Sequence, residues 1–134
     1  MFTNKKKKHF NKMLRDVQTN IWEVEFSRFK ALGAREGLRR EYDAARDQQA
    51  HITAAYKADM KNENLKLQAE AVDKQVKLKK DQMDDMDIRI NGREPQEPSE
   101  EFPHGIEGEV GITQKLEGLI ELREYIKQFV KHNV

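Results

Sequence analysis

From Phe10 onward, apolar residues recur at every third or fourth position. Alternating steps of four and three pick out Phe10, Leu14, Val17, Ile21, Val24, Arg28, Ala31, Arg35, Leu38, Tyr42, Ala45, Gln49, Ile52 and Tyr56, and eleven of these fourteen are apolar. Such spacing draws one stripe along an α-helix. A strict repeat of about 3.5 residues is the seam of a coiled coil, in which the polar members Arg28, Arg35 and Gln49 would set the register. An unsupercoiled helix, repeating about every 3.6 residues, gives a drifting stripe of similar appearance. The pattern leaves both readings open.

Trp22, Phe26, Phe29 and Leu32 widen the apolar face beyond the seam positions. A wide face is expected to meet more than one neighbour, so these aromatics read as anchors of a small core. Gly33 and Gly37 follow, each costing about 1 kcal/mol in a helix relative to alanine. With apolar density falling there, a hinge or break near 33–37 is expected. The alternative is one continuous helix with both glycines on a face open to a partner.

The span Leu38–Asn91 holds 54 residues without a glycine or proline. Its second stripe is Leu65, Ala69, Val72, Val76, Lys79, Met83, Met86 and Ile90, with seven of the eight apolar. This stripe is out of phase with the first, and the slip falls in the polar stretch Lys57–Asn64. A helical hairpin turning there, with Asn62 and Asn64 tolerating the turn, explains the slip. A phase shift within one long rod explains it equally.

Asn91-Gly92 reads as a helix stop. All three prolines and four of the seven glycines lie in the next twenty residues, and positions 94–109 hold six glutamates and no lysine or arginine. Residues 92–111 therefore read as an extended acidic linker. Beyond it, Ile112, Leu116, Leu119, Ile120, Leu122, Ile126, Phe129 and Val130 make a broad apolar face on a final helix. Thr113 is the expected N-cap. Glu117, Glu121 and Glu124 precede Lys127 and Lys131, which suits the helix dipole. So apolar a helix must dock, either on its own chain or in a groove of another protein.

Composition narrows the function classes. The 134 residues are 37% charged and 37% hydrophobic, which favours long helices with much solvated surface. Formal net charge is +1, so no global field drives the chain onto nucleic acid or membrane. With no cysteine, thiol catalysis and thiolate zinc sites are excluded. No apolar run approaches the roughly 18 residues of a membrane span. The lysine-rich start has no apolar run after it, so it does not read as a secretory signal. The expected location is soluble and intracellular, or within a macromolecular particle.

Residues 1–9 read as a flexible basic arm. Lys5, Lys6, Lys7 and Lys8, with Lys12 and Arg15, can neutralise several phosphates of DNA or RNA non-specifically. No stacking platform or recognition-helix pattern accompanies them. Asp81, Asp84, Asp85 and Asp87 lack the loop spacing of a calcium site, and Lys77 and Lys80 one turn before explain them as local ion pairs. The four histidines stand singly. No phosphate loop or nucleophile elbow is present. No enzyme, cofactor or metal site is expected.

The sequence thus predicts an all-α, elongated, coiled-coil-like chain: a basic arm over 1–9, a long helical region over 10–91, an acidic linker over 92–111, and a C-terminal docking helix over 112–134. The expected function is that of a structural assembly protein, a scaffold or adaptor acting through helix–helix association with its own kind or within a larger complex. The expected interface residues are Leu14, Val17, Ile21, Trp22, Phe26, Phe29, Leu65, Val72, Val76, Met83, Met86, Ile90, Leu116, Leu119, Ile126 and Phe129. In architecture alone this is similar to small helical assembly factors of virus particles, with no residue motif behind the likeness. Two alternatives stand beside it. One is a nucleic-acid-associated protein binding through the lysine arm. The other is a self-contained monomeric bundle in which helix 112–132 covers the stripe of 65–90.

Overall fold

The computed structural model describes residues 3–133, and the chain is all-α. Three helices follow in order: α1 (Asn4–Ala58), α2 (Glu63–Asn91) and α3 (Ile112–Asn133). Among the described residues no strand forms, and β-pairing is limited to two isolated antiparallel bridges, Arg93–Glu109 and Gln96–Ile106. The chain divides into two compact units. One holds the chain up to Lys30 together with everything from Ile88 on, and the other is Ala31–Asp87.

The start of α1 corrects the reading of 1–9 as a flexible basic arm for the described residues of that range: 4–9 are helical. Thr3 caps the helix, its Oγ1 accepting the Lys6 N–H at 3.2 Å. Lys5 to Lys8 therefore lie on the first turns of α1; Met1 and Phe2 lie outside the described residues. The N-terminal end of the helix dipole is positive and disfavours these lysines, and no acid stands in that first turn to offset them. Lysine is a good helix former, and a helix already propagating beyond it adds a backbone hydrogen bond per residue.

Propagation also explains the second correction. No break occurs at Gly33 and Gly37; α1 runs through both as one helix of 55 residues. Two glycines cost about 2 kcal/mol together, and the stripe that continues on either side offsets that. Every one of its fourteen positions, Phe10 to Tyr56, is buried or half-buried.

The turn between α1 and α2 is short. The Asp59 N–H donates to the Tyr56 carbonyl and the Asn62 N–H to the Asp59 carbonyl, each at 3.1 Å. Asn62 then caps α2, its Oδ1 accepting the N–H groups of Asn64 (3.0 Å) and Leu65 (3.2 Å). Of the two explanations for the phase slip, this is the turn. Within Ala31–Asp87 the two helices are tied by Arg35–Asp87, Glu41–Lys79 and Gln49–Asp73. As one partner's number rises the other's falls, which is antiparallel packing.

In the other unit, α3 lies antiparallel on the first part of α1. Phe10 meets Phe129 with ring centroids 5.5 Å apart. Arg123 Nη1 donates to Gln18 Oε1 at 3.0 Å, and Arg28 Nε donates to Thr113 Oγ1 at 3.2 Å. Val17, Ile21 and Ile126 are the buried centre, with Phe10, Met13, Leu14, Leu116, Leu119, Ile120 and Val130 around them. The alternative of a bundle in which this helix covers the stripe of 65–90 is therefore corrected: its partner is the Phe10–Ile21 face.

Residues 92–111 are not extended either. Gly92, at φ 75°, ends α2 in the left-handed conformation glycine favours. The Arg93–Glu109 and Gln96–Ile106 bridges then fold the segment back on itself. At its far end Ser99 Oγ accepts the Phe102 N–H at 3.1 Å. The prolines and glycines make turns here instead of an extended spacer, and Arg93 Nη2 offsets one acid by pairing with Glu109 Oε1 at 3.0 Å. Gly111 lies so close to Gly92 that a Cβ on it would fall 2.3 Å from the Gly92 nitrogen. Gly111, not Thr113, precedes α3. Gln114 Oε1 accepts the Gly111 N–H at 3.1 Å, as the third helical residue of a capping box does. Gln114 Nε2 also donates to the Asn91 carbonyl at 2.6 Å, joining the end of α2 to the start of α3.

Candidate interaction surface

The residues read as interface separate into two groups. Val17, Ile21, Val72, Ile90 and Ile126 are buried, while Leu14, Leu65, Val76, Met83, Met86, Leu116 and Leu119 are half-buried. Leu65, Val72, Val76, Met83 and Met86 share the face of α2 that carries Lys79, whose Nζ reaches Glu41 of α1 at 2.8 Å. This chain covers that stripe with its own helix.

Trp22, Phe26 and Phe29 are not core anchors. They are 63%, 62% and 75% exposed, whereas Ile21, next in sequence to Trp22, is 1% exposed. At spacings of four and three they share one face of α1, roughly a third of a turn round the helix from Val17 and Ile21. One α3 helix can cover only one side of α1, so the widened face is left in solvent. Leu32, at the edge of the same series, is also exposed, as are Leu122, Tyr125 and Phe129 on α3. Among the described residues twelve large hydrophobics are exposed and six hydrophobics are buried. Scattered exposed apolar side chains are ordinary; three large aromatics in one line are not.

Two charged groups flank this line. Lys30 Nζ sits 5.2 Å from the centroid of the Phe26 ring. Glu23 lies on the same flank, seven residues earlier, and neither forms an ion pair within the described chain.

A second surface comes from the helical register of the lysines. Positions 5, 8, 12 and 15 fall on one face of α1, so Lys5, Lys8, Lys12 and Arg15 project together, while Lys6 and Lys7 point to other sides of the helix. Lys8, Lys12 and Arg15 line one surface groove with Asn11 and Leu14. None of these cations forms an ion pair within the described residues.

The polar members of the stripes were legible only as exceptions to a pattern, and each has a partner on another helix. Arg28 meets Thr113, Gln49 Nε2 donates to Asp73 Oδ1 at 2.8 Å, and Lys79 meets Glu41. Arg35 donates to both carboxylate oxygens of Asp87, through Nε and Nη2. That hydrogen bond, with the carboxylate's charge behind it, raises the Arg35 pKa further above its ordinary value. Asp87 thus belongs to this pair and Asp84 lies 3.8 Å from Lys80, whereas Asp81 and Asp85 form no ion pair among the described residues, so the local pairing expected for the aspartate run holds for Lys80–Asp84 and not for Lys77–Asp81.

No described helix is long and apolar enough to cross a membrane. No family model, curated protein or solved structure matches this chain.

Proposed function

We propose that this protein is a non-enzymatic assembly component, a scaffold or adaptor that works by docking another helix on the exposed face of α1. The observation that carries the reading is the line Trp22, Phe26 and Phe29, solvent-exposed on a helix whose other side is already filled by α3. Large aromatics dominate the energetics of docked helices because each removes 150–250 Å² of surface from water. Leaving three of them in water stabilises nothing in the chain itself, and association removes that exposure. The stripe on Leu14–Ile21 packs the unit that presents the face, and the stripe from Leu65 to Met86 packs the other unit.

The test is a serine triple variant at Trp22, Phe26 and Phe29. All three side chains are exposed, so the expected result is unchanged helicity and a melting temperature close to wild type. In extracts of cells that make the protein, the variant is expected to leave the high-mass fractions that the wild type occupies. An identical fractionation profile for both would end the assembly reading.

A second reading has its own support: the aligned, unpaired cations Lys5, Lys8, Lys12 and Arg15. A helix face of this kind fits the phosphates of a nucleic-acid backbone without regard to sequence. It predicts an affinity for DNA or RNA that falls steeply with salt and is lost when Lys5, Lys8 and Lys12 are changed to glutamine. Salt-insensitive or absent binding would exclude it.

A further inference from the structure

We propose that the helix docked on this face is a second copy of the same α1, lying antiparallel across Trp22, Phe26 and Phe29. The proposal rests on the assembly reading above and names its partner. Its first ground is charge. Glu23 and Lys30 sit on the same flank of the aromatic line and lack ion-pair partners within the described chain. A two-fold axis passing near residues 26 and 27 sets Glu23 of one copy against Lys30 of the other, and symmetry makes the pair twice. Antiparallel pairing also brings Phe29 of one copy between Trp22 and Phe26 of the other, so the aromatics interleave. A parallel pair would instead lay the two lysine-rich first turns side by side, where like charges repel. Antiparallel packing keeps them apart and opposes the two helix dipoles favourably.

The second ground is area. The exposed fractions of the three rings correspond to roughly 400 Å² per copy. Stable dimers bury about 800 Å² per partner, and weaker ones fall below about 1,200 Å² in total. With Glu23, Lys30 and the rest of the flanks added, this face has the size of a small, reversible interface.

The experiment is sedimentation equilibrium of the purified full chain across the micromolar range, with charge reversals that leave the fold alone. The wild type is expected to pass from monomer to dimer. Glu23→Lys and Lys30→Glu are each expected to weaken the dimer about tenfold or more, since each reversal creates two like-charge contacts per dimer. The double variant E23K/K30E is expected to restore it. Circular dichroism of each variant checks that the helices are intact.

A purified chain that stays monomeric at every concentration overturns the proposal. So does a dimer that ignores the serine triple variant, or one that answers to Glu25→Lys and not to Glu23→Lys, the mark of a parallel pair. The two readings fail separately. A purified monomer whose high-mass fractions in extract still depend on the aromatic line removes self-pairing alone, whereas loss of that dependence removes both.

Discussion

At the residue scale, the polar positions inside the apolar stripes are the most informative side chains. Arg35 and Asp87 form a forked pair whose side chains are about one-third exposed, so solvent screening limits its worth. A double-mutant cycle with Arg35→Ala and Asp87→Ala, read by urea denaturation, is expected to give a coupling of about 1 kcal/mol, the size typical of a partly exposed hydrogen-bonded pair. Glu36 tells of pH. Arg39, three residues on along the same helix, donates to it at 2.8 Å and holds its carboxyl below the ordinary value of 4.5, with the charges of Arg40 and Arg35 adding to the effect. A carboxyl whose pKa is depressed by folding contributes stability above its unfolded value and loses it as pH falls through the lower folded one. Acid titration followed by circular dichroism is therefore expected to show a small loss of stability below about pH 4.5, reduced in Glu36→Gln.

Helices gain or lose by their glycines. Gly33 and Gly37 sit inside α1, where an added Cβ would meet nothing within 4 Å. Gly33→Ala and Gly37→Ala are each expected to stabilise the chain by about 0.5–1 kcal/mol in thermal or urea melts, because alanine loses less backbone entropy in a helix. Gly111 is the opposite case. A Cβ there would fall 2.3 Å from the Gly92 nitrogen and 2.6 Å from the Asn91 carbonyl carbon, both backbone atoms that cannot swing aside. Gly111→Ala is expected to destabilise by several times the gain at Gly33, and to loosen the junction that Gln114 closes between α2 and α3. Equal effects at the three positions would contradict this account.

For the molecule as a whole, the two units carry different loads. The unit built by the first part of α1 and by α3 buries Val17, Ile21 and Ile126 at its centre. Two helices leave little to replace a lost side chain, so Ile126→Ala is expected to cost about 2–4 kcal/mol. Its effect should concentrate where α3 meets α1. Hydrogen exchange is expected to accelerate in residues 10–28 and 112–130 while Leu38–Tyr56 stays protected. Uniform acceleration along the chain would mean that the two units unfold as one. Association belongs to this scale too: a chain that leaves twelve large hydrophobics exposed among the described residues, nine of them on its helices, has surface to give to a partner.

Sequence alone determined the helical class and the inward faces, because side-chain burial follows helical periodicity wherever a stripe has any partner at all. All fourteen positions from Phe10 to Tyr56 and all eight from Leu65 to Ile90 are buried or half-buried. The stripe could not say what covers it. A stripe records that something apolar lies opposite, and only the tertiary structure assigned α3 to Phe10–Ile21 and α2 to the later part of α1. Glycine and proline carried the same ambiguity. Gly33 and Gly37 lie within a helix because neighbouring turns outweigh their local cost, while the segment 92–111 bridges to itself because Gly92 and Gly105 adopt positive φ. Burial of the aromatics was likewise beyond the pattern. Trp22, Phe26 and Phe29 are apolar enough for a core, but whether a wide face is covered depends on how many helices reach it, and in this chain α3 covers the Val17–Ile21 side and leaves the aromatic line in water.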